Sequence, residues 1–548
     1  MPKLLVTIEE GTLRGKKSKT YLGETFHSFL GIPYAEPPIG PLRFKAPVPK
    51  RPWQGIRNAT KEGPACPSPH MFFQFYVGCE NNCLNLNVFT KNYSTLRPVM
   101  VWIHGGAFLM GSNTRAVFGP DYLMSEDIVL VSINYRLGIL GFLCLEDPSL
   151  GVPGNAGMKD MVLALKWVQR NIAHFKGDPK NVTIFGESAG SAAVNYLCLS
   201  PLSKGLFHKA IAQSGSPLNY WACGSRNAKT VAQFLRFNDP SEEKLLGFLQ
   251  KLSAKKIVRA QFQIKNCEAM APDQVAVFGP VVEKPSDEPA FLPEPPIEIL
   301  RKGSFNSVPL IIGYTSSEGI LYQLAVRLFK TRPEVDFGKE IPYDLKKTQE
   351  LALKVRKFYF GEGEISRNGD QMVTLKTDNN FVHGIHRQIA YMKTANKAPI
   401  FLYRMSLETS INLIKTLCTT KCPVCSFLCL FFSYKCCTSG HCIRRAFPKN
   451  QLSGVCHGDD VSYLFKSFAS PRLKKGSIEE ISIRRFVKLW TNFAKTGHPT
   501  PVKTELVDVL WTPVTPDCDF FLDIGRELKM GKNPDWERMQ FWDRFYPN

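Results

Sequence analysis

The stretch Asn181–Leu197, NVTIFGESAGSAAVNYL, decides how this chain reads. It opens β-rich, passes through Gly186-Glu187-Ser188-Ala189-Gly190 and continues helix-rich. A strand that turns sharply into a helix brings the residues on either side of the turn together. Gly186 and Gly190 lack the side chains that would collide there, so Ser188 takes the strained apex with its hydroxyl exposed. The helix that follows points its positive end at the serine and favours negative charge developing there. Gly-x-Ser-x-Gly in this strand–turn–helix setting is a nucleophile elbow.

A serine hydroxyl is a weak nucleophile until a base takes its proton, and attack on a carbonyl creates an oxyanion that needs preorganised donors. Val101–Phe108, VWIHGGAF, is a strand followed by His104-Gly105-Gly106. With the amide of Ala189, the amides of Gly105 and Gly106 would form a three-donor oxyanion hole. On such an elbow the acid and the base follow the serine in that order. Among the downstream histidines, His208 precedes any acid loop. His383 and His386 sit in a helix-like stretch and read as surface or packing residues. His441 falls in a cysteine-rich stretch and His498 in a turn. His457, in the glycine-flanked loop GVCHGDD, is the candidate base. Glu318, just past the strand-like VPLIIGY, is the candidate acid.

The surrounding pattern agrees. Apolar runs at Pro98–Ile103, Asp127–Tyr135, Asn181–Phe185, Lys209–Ser214, Val308–Tyr314 and Ala398–Ser406 suit strands covered on both faces. Between them lie helical patterns such as Met158–Phe175, with Val162, Leu165, Val168 and Ile172 at helical spacing. The alternation predicts an α/β fold, a large, mostly parallel sheet with helices on both faces. No internal repeat or linker divides the 548 residues, so one domain over 1–548 is expected.

The 69 Lys and Arg against 48 Asp and Glu leave a net charge of +21. The basic residues are scattered, with no nucleic-acid motif, so the charge reads as a solvated surface and no nucleic-acid partner is expected. No apolar run approaches the roughly 20 residues of a membrane helix, and no stable membrane insertion is expected. The opening MPKLLVTIEEGTLRG has no secretory apolar region and the closing DRFYPN no retention signal. Both point to a cytoplasmic location, where the 16 cysteines would stay reduced.

Taken together, these residues resemble the type-B carboxylesterase/lipase family of cholinesterase-like α/β-hydrolases, and most closely the insect α-esterases, which are linked to xenobiotic detoxification. Supporting stretches are FLGIPYAEPPIGPLRFKAP, CLNLNV, NYRLGILGFL, PGNAGMKDMVLALKWVQRNI, AIAQSGSP and WTNFAKTGHPTP. The resemblance implies Ser188, Glu318 and His457 as a catalytic triad, with Gly105, Gly106 and Ala189 as the oxyanion hole. It implies Ser214 and Asp460 as supports of the triad and Trp221 as a wall of the acyl pocket. It implies no cofactor.

Three departures stand out. Asn81 and Asn82 replace an acidic pair, which implies loss of a salt bridge to Arg43. Cys66 and Cys83 match cysteines that pair in secreted relatives, whereas a cytosolic chain need not pair them. A cysteine-rich insertion occupies about 411–453. Its Cys422, Cys425, Cys436, Cys437, His441 and Cys442 could be read as a zinc set, but an unstructured surface insertion is the preferred reading, and no metal is expected.

The function that follows is serine-dependent hydrolysis of a small carboxylic ester, xenobiotic or lipid-like, through an acyl-enzyme. The rivals are a non-catalytic binding or adhesion member of the fold and a stoichiometric organophosphate sink. A cholinesterase is disfavoured because the Cys66–Cys83 loop lacks tryptophan. A juvenile-hormone esterase is disfavoured because those enzymes usually carry Gln at the position of Glu187.

Overall fold

The computed structural model describes residues 4–70, 75–264, 276–323, 337–342, 344–363, 369–419 and 452–546. Eleven strands form its main sheet: β1 (Lys16–Lys19), β2 (Thr25–Pro33), β3 (Asn85–Thr90), β4 (Arg97–Ile103), β5 (Val129–Ile133), β6 (Gly177–Glu187), β7 (Lys209–Gln213), β8 (Leu310–Thr315), β9 (Ile400–Met405), β10 (Phe520–Ile524) and β11 (Leu528–Lys532). Their order across the sheet is β11-β10-β9-β8-β7-β6-β4-β5-β3-β2-β1. The strands from β5 to β10 pair in parallel. Antiparallel strands flank them on both edges.

The apolar runs are continuous because both faces are covered. On β4, Val99, Val101 and Ile103 enter one core while Met100 and Trp102 enter the other. The first core is closed by helix α1 (Ala156–Asn171) through Val162, Leu165 and Val168, and by α2 (Ala189–Leu199). Every residue of α2 is buried, which explains its small and apolar composition. The π-helical turn Asp378–Val382 leads into α3 (His383–Ala395), and α4 (Leu413–Thr419) follows β9. The second core is closed by α5 (Ile478–Thr496), through Phe486, Trp490 and Phe493. Ser477 caps α5 by accepting from the Glu480 amide at 3.4 Å, and Gly497 ends it at φ 82°.

Two expectations are corrected. The Arg43 salt bridge is present, because the acid lies one position earlier than expected. Glu80 opens the 3-10 turn Glu80–Asn82 and its Oε2 stands 2.7 Å from Arg43 Nη2. Arg43 Nη1 also donates to the carbonyl oxygens of Leu249 and Leu252, at 3.0 and 2.5 Å. Second, Cys66 and Cys83 form a disulfide; the fold brings their Cα atoms to 4.7 Å, a spacing that suits the bond. Most of the cysteine-rich insertion, with its zinc-like set, lies outside the described residues. Among those described, no helix is long and apolar enough to cross a membrane.

Candidate active site

Four parallel strands deliver their following loops to one edge of the sheet. β4 runs into His104-Gly105-Gly106, β6 into Ser188, β7 into Ser214 and β8 into the loop carrying Glu318. The carboxyl edge of a parallel sheet is where side chains from separate strands can converge.

Ser188 adopts φ 60° and ψ −123°, a conformation that L-residues rarely occupy. Its amide donates to the Gln213 carbonyl at 2.8 Å, and its carbonyl accepts from Ala192 at 2.9 Å. The elbow tolerates no side chain at its flanks. A Cβ on Gly190 would lie 2.1 Å from the Ile103 oxygen, and one on Gly186 2.6 Å from the Gly190 carbonyl. Gly105 lies directly over the elbow, where its Cβ would stand 3.0 Å from Ser188 Cβ. Ala189 is the first residue of α2, so its amide is one of the donors that a helix leaves unused. The chain after β4 is held by Tyr135, whose hydroxyl donates to the His104 carbonyl at 2.8 Å and whose ring stacks on the imidazole at 4.5 Å. Burial pushes the His104 pKa down to about 4, so that ring is a neutral structural element.

Glu318 is fully buried. Its Oε1 accepts from Ser214 Oγ at 2.5 Å and from the Thr315 amide at 2.7 Å. Its Oε2 is 2.6 Å from His457 Nδ1. The acid and base loops are knitted together: the Ser317 amide donates to the Val455 carbonyl at 2.9 Å, and the Val455 amide to Ser316 Oγ at 3.0 Å. Asp460 Oδ2 accepts from Gln213 Nε2 at 2.8 Å and Tyr403 OH at 2.9 Å. Asp460 thus anchors the turn after His457 to β7 and β9.

Two contacts of His457 escaped the sequence reading. Glu187 Oε1 stands 3.0 Å from His457 Nε2, and the Phe381 ring tilts over the imidazole at 4.3 Å. Glu187 is adjacent to Ser188, so its proximity to the base was legible in principle. Phe381 was not, because its placement depends on the π-helical turn. Burial raises the Glu187 carboxyl to about 8, against the opposing pull of His457 and with Asp460 and Glu318 adding to the rise. Burial alone would lower the His457 value; Glu187 and Glu318 outweigh it and raise the imidazole to about 9.

Ser188 and His457 line one cavity of about 120 Å³, together with Trp221, Phe381, Leu109 and Leu321. Trp221 Nε1 donates to the Asn380 carbonyl at 2.6 Å, which fixes the indole as part of the wall. His383 and His386 are packing groups: His383 Nε2 is 3.1 Å from Asp543 Oδ1, and His386 meets Tyr314 OH at 3.3 Å. Among the described residues, no cluster of three or more His, Cys, Asp and Glu could hold a metal ion.

A serine on a strand–helix elbow, beside a carboxylate-held histidine at the carboxyl edge of this sheet, defines an α/β-hydrolase. The chain belongs to the Carboxylesterase family, whose model it matches over residues 2–542. It is a carboxylic ester hydrolase. It is 35% identical to Esterase B1 of Culex pipiens, covering 100% of this chain and 99% of that relative. It is 33% identical to the juvenile hormone esterase of Tribolium castaneum, covering 91% and 84%. Esterase FE4 of Myzus persicae is 31% identical, covering 93% and 86%.

Proposed function

We propose that the chain hydrolyses small carboxylic esters, xenobiotic or lipid-like, through an acyl-enzyme on Ser188. The single observation that carries this reading is the 2.6 Å contact of Glu318 Oε2 with His457 Nδ1, beside a cavity that His457 shares with Ser188. Ser188 Oγ attacks the ester carbonyl as His457 Nε2 takes its proton. Glu318 holds the ring by Nδ1 and stabilises the imidazolium. The oxyanion rests against the amides of Gly105, Gly106 and Ala189. The alcohol leaves with the proton from His457, and water then cleaves the acyl-enzyme by the same route. Ser214 supports the acid through its hydroxyl, and Asp460 supports the base through its loop. Trp221 bounds the acyl group, and a cavity of about 120 Å³ suits a short acyl chain.

Hydrolysis of a chromogenic short-chain ester tests the proposal. Multiple turnovers by the native chain, lost in Ser188→Ala, support it. Equal rates in both proteins contradict it, and a single stoichiometric burst on the ester favours the sink reading. A cytoplasmic location belongs to the same proposal, although the Cys66–Cys83 disulfide speaks against it; cell fractionation checks it.

A further inference from the structure

The two ends of the cysteine-rich stretch are clamped to each other beside the candidate base. Asp459 accepts from the amides of Ile414 at 2.9 Å and Lys415 at 3.1 Å, which open α4, and from Cys456 at 3.0 Å. Asn412 Nδ2 reaches the same carboxylate at 3.3 Å. Lys415 Nζ donates to the Gly454 carbonyl at 2.8 Å, and the Gly454 amide to Glu408 Oε1 at 2.7 Å. The start of the stretch thus binds the residues that follow its end. Cys418 on α4 and Cys456, the residue before His457, are both fully buried, both free, and 3.9 Å apart between sulfurs. They share a small apolar cluster with Ile320 and Val373, next to the Glu318 turn.

We propose that Cys418 and Cys456 are a disulfide pair, closed by thiol–disulfide exchange with a low-molecular-weight disulfide, whose bond ties the base loop to α4. Reaching the ~2.05 Å of a disulfide takes about 2 Å of sulfur movement, within the reach of rotation about Cα–Cβ. In the exchange, one protein thiolate attacks the small disulfide and releases one thiol. The second protein thiolate attacks the mixed disulfide, forms the Cys418–Cys456 bond and releases the other thiol. The two protein thiols lose two protons and two electrons, and the small disulfide becomes two thiols. The cross-link joins α4 covalently to the residue before His457 and stabilises that junction mainly by restricting the unfolded chain. Burial of both sulfurs makes the exchange slow in the folded protein.

Peptide mapping of the full chain tests this without reference to activity, and so separately from the ester-hydrolysis reading. The protein is equilibrated in a buffer of oxidised and reduced glutathione, or in dithiothreitol, then alkylated and cut with trypsin without reduction. The expected product in the glutathione sample is Thr416–Lys421 joined to Asn450–Lys466, each with one cysteine. In dithiothreitol both peptides are alkylated. Oxidised protein in which these peptides stay alkylated, or join glutathione or other cysteines, overturns the pairing. The tie itself is read from thermal inactivation of esterase activity. The oxidised native chain keeps activity several-fold longer than the reduced one, and Cys418→Ala removes that difference attributable to this pair. Equal half-lives of the oxidised and reduced native chain overturn the tie, whether or not the variant folds.

Discussion

His457 stands between two carboxylates: Glu318 Oε2 lies 2.6 Å from Nδ1, and Glu187 Oε1 lies 3.0 Å from Nε2. One holds the nitrogen that a general base uses for orientation. The other competes for the nitrogen that must address Ser188. Glu187 and Ser188 are neighbours at the end of β6, and Ser188 and His457 line one cavity. The Glu187–His457 contact should therefore raise the pH at which the base becomes free.

The sign of the pH dependence follows from that arrangement. A histidine whose value is raised to about 9 stays protonated to higher pH than a free imidazole. Its basic form, needed for attack, appears only as pH rises. The acid limb of kcat/KM should then lie above about 6.5, the unperturbed value. Glu187→Gln removes one of the two carboxylates and should move that limb down. A pH–rate profile of both proteins checks it; a limb that stays put in the variant would show that Glu187 does not hold the proton on His457.

Glu318→Gln keeps the shape but loses the charge that orients and stabilises the ring. The expected fall in kcat is about 10³–10⁴-fold. Ser214→Ala removes only the 2.5 Å hydroxyl donor to Glu318, and roughly a ten-fold fall in kcat with KM retained is expected. Steady-state kinetics on one chromogenic ester separate the two, and a larger loss in Ser214→Ala than in Glu318→Gln would reverse the assignment of roles.

Trp221→Ala opens one wall of the cavity that Ser188 lines. Relative kcat/KM should shift by roughly ten-fold from acetyl toward bulkier acyl esters. A competition assay across an acyl series measures the shift, and an unchanged preference would place the acyl group elsewhere.

Stability has its own marker in Arg136, next to the Tyr135 that props His104. Its Nη2 lies 2.6 Å from Asp160 Oδ1, with side-chain exposures of 2% and 0%. Asp160→Ala leaves a buried cation unpaired, at a cost of about 3–5 kcal/mol. Urea unfolding followed by tryptophan fluorescence measures it; a change under about 1 kcal/mol would mean that water reaches the guanidinium.

The parallel strands were legible because each is buried on both faces and so writes a continuous apolar run. Pro98–Ile103 and Lys209–Ser214 match β4 and β7 to within a residue. The antiparallel strand β1, LysLysSerLys, carries no such run, since it is an edge strand with half-exposed side chains. Likewise Asn81 and Asn82 concealed the Arg43 ion pair, because a one-residue offset inside a 3-10 turn leaves no periodic trace.

Read alone, the chain determined the parallel α/β scaffold and the elbow at Ser188, while Glu318 and His457 stood as candidates that the family resemblance singled out. The scaffold and the elbow follow from local rules: apolar periodicity, glycine at a crowded turn, and the order of elements along a sheet. Only the folded chain decided that Glu187 and Phe381 press on the same imidazole and that Cys418 meets Cys456. Those contacts join residues far apart in sequence, and nothing local specifies them until the sheet, the π-helical turn and the base loop are packed together.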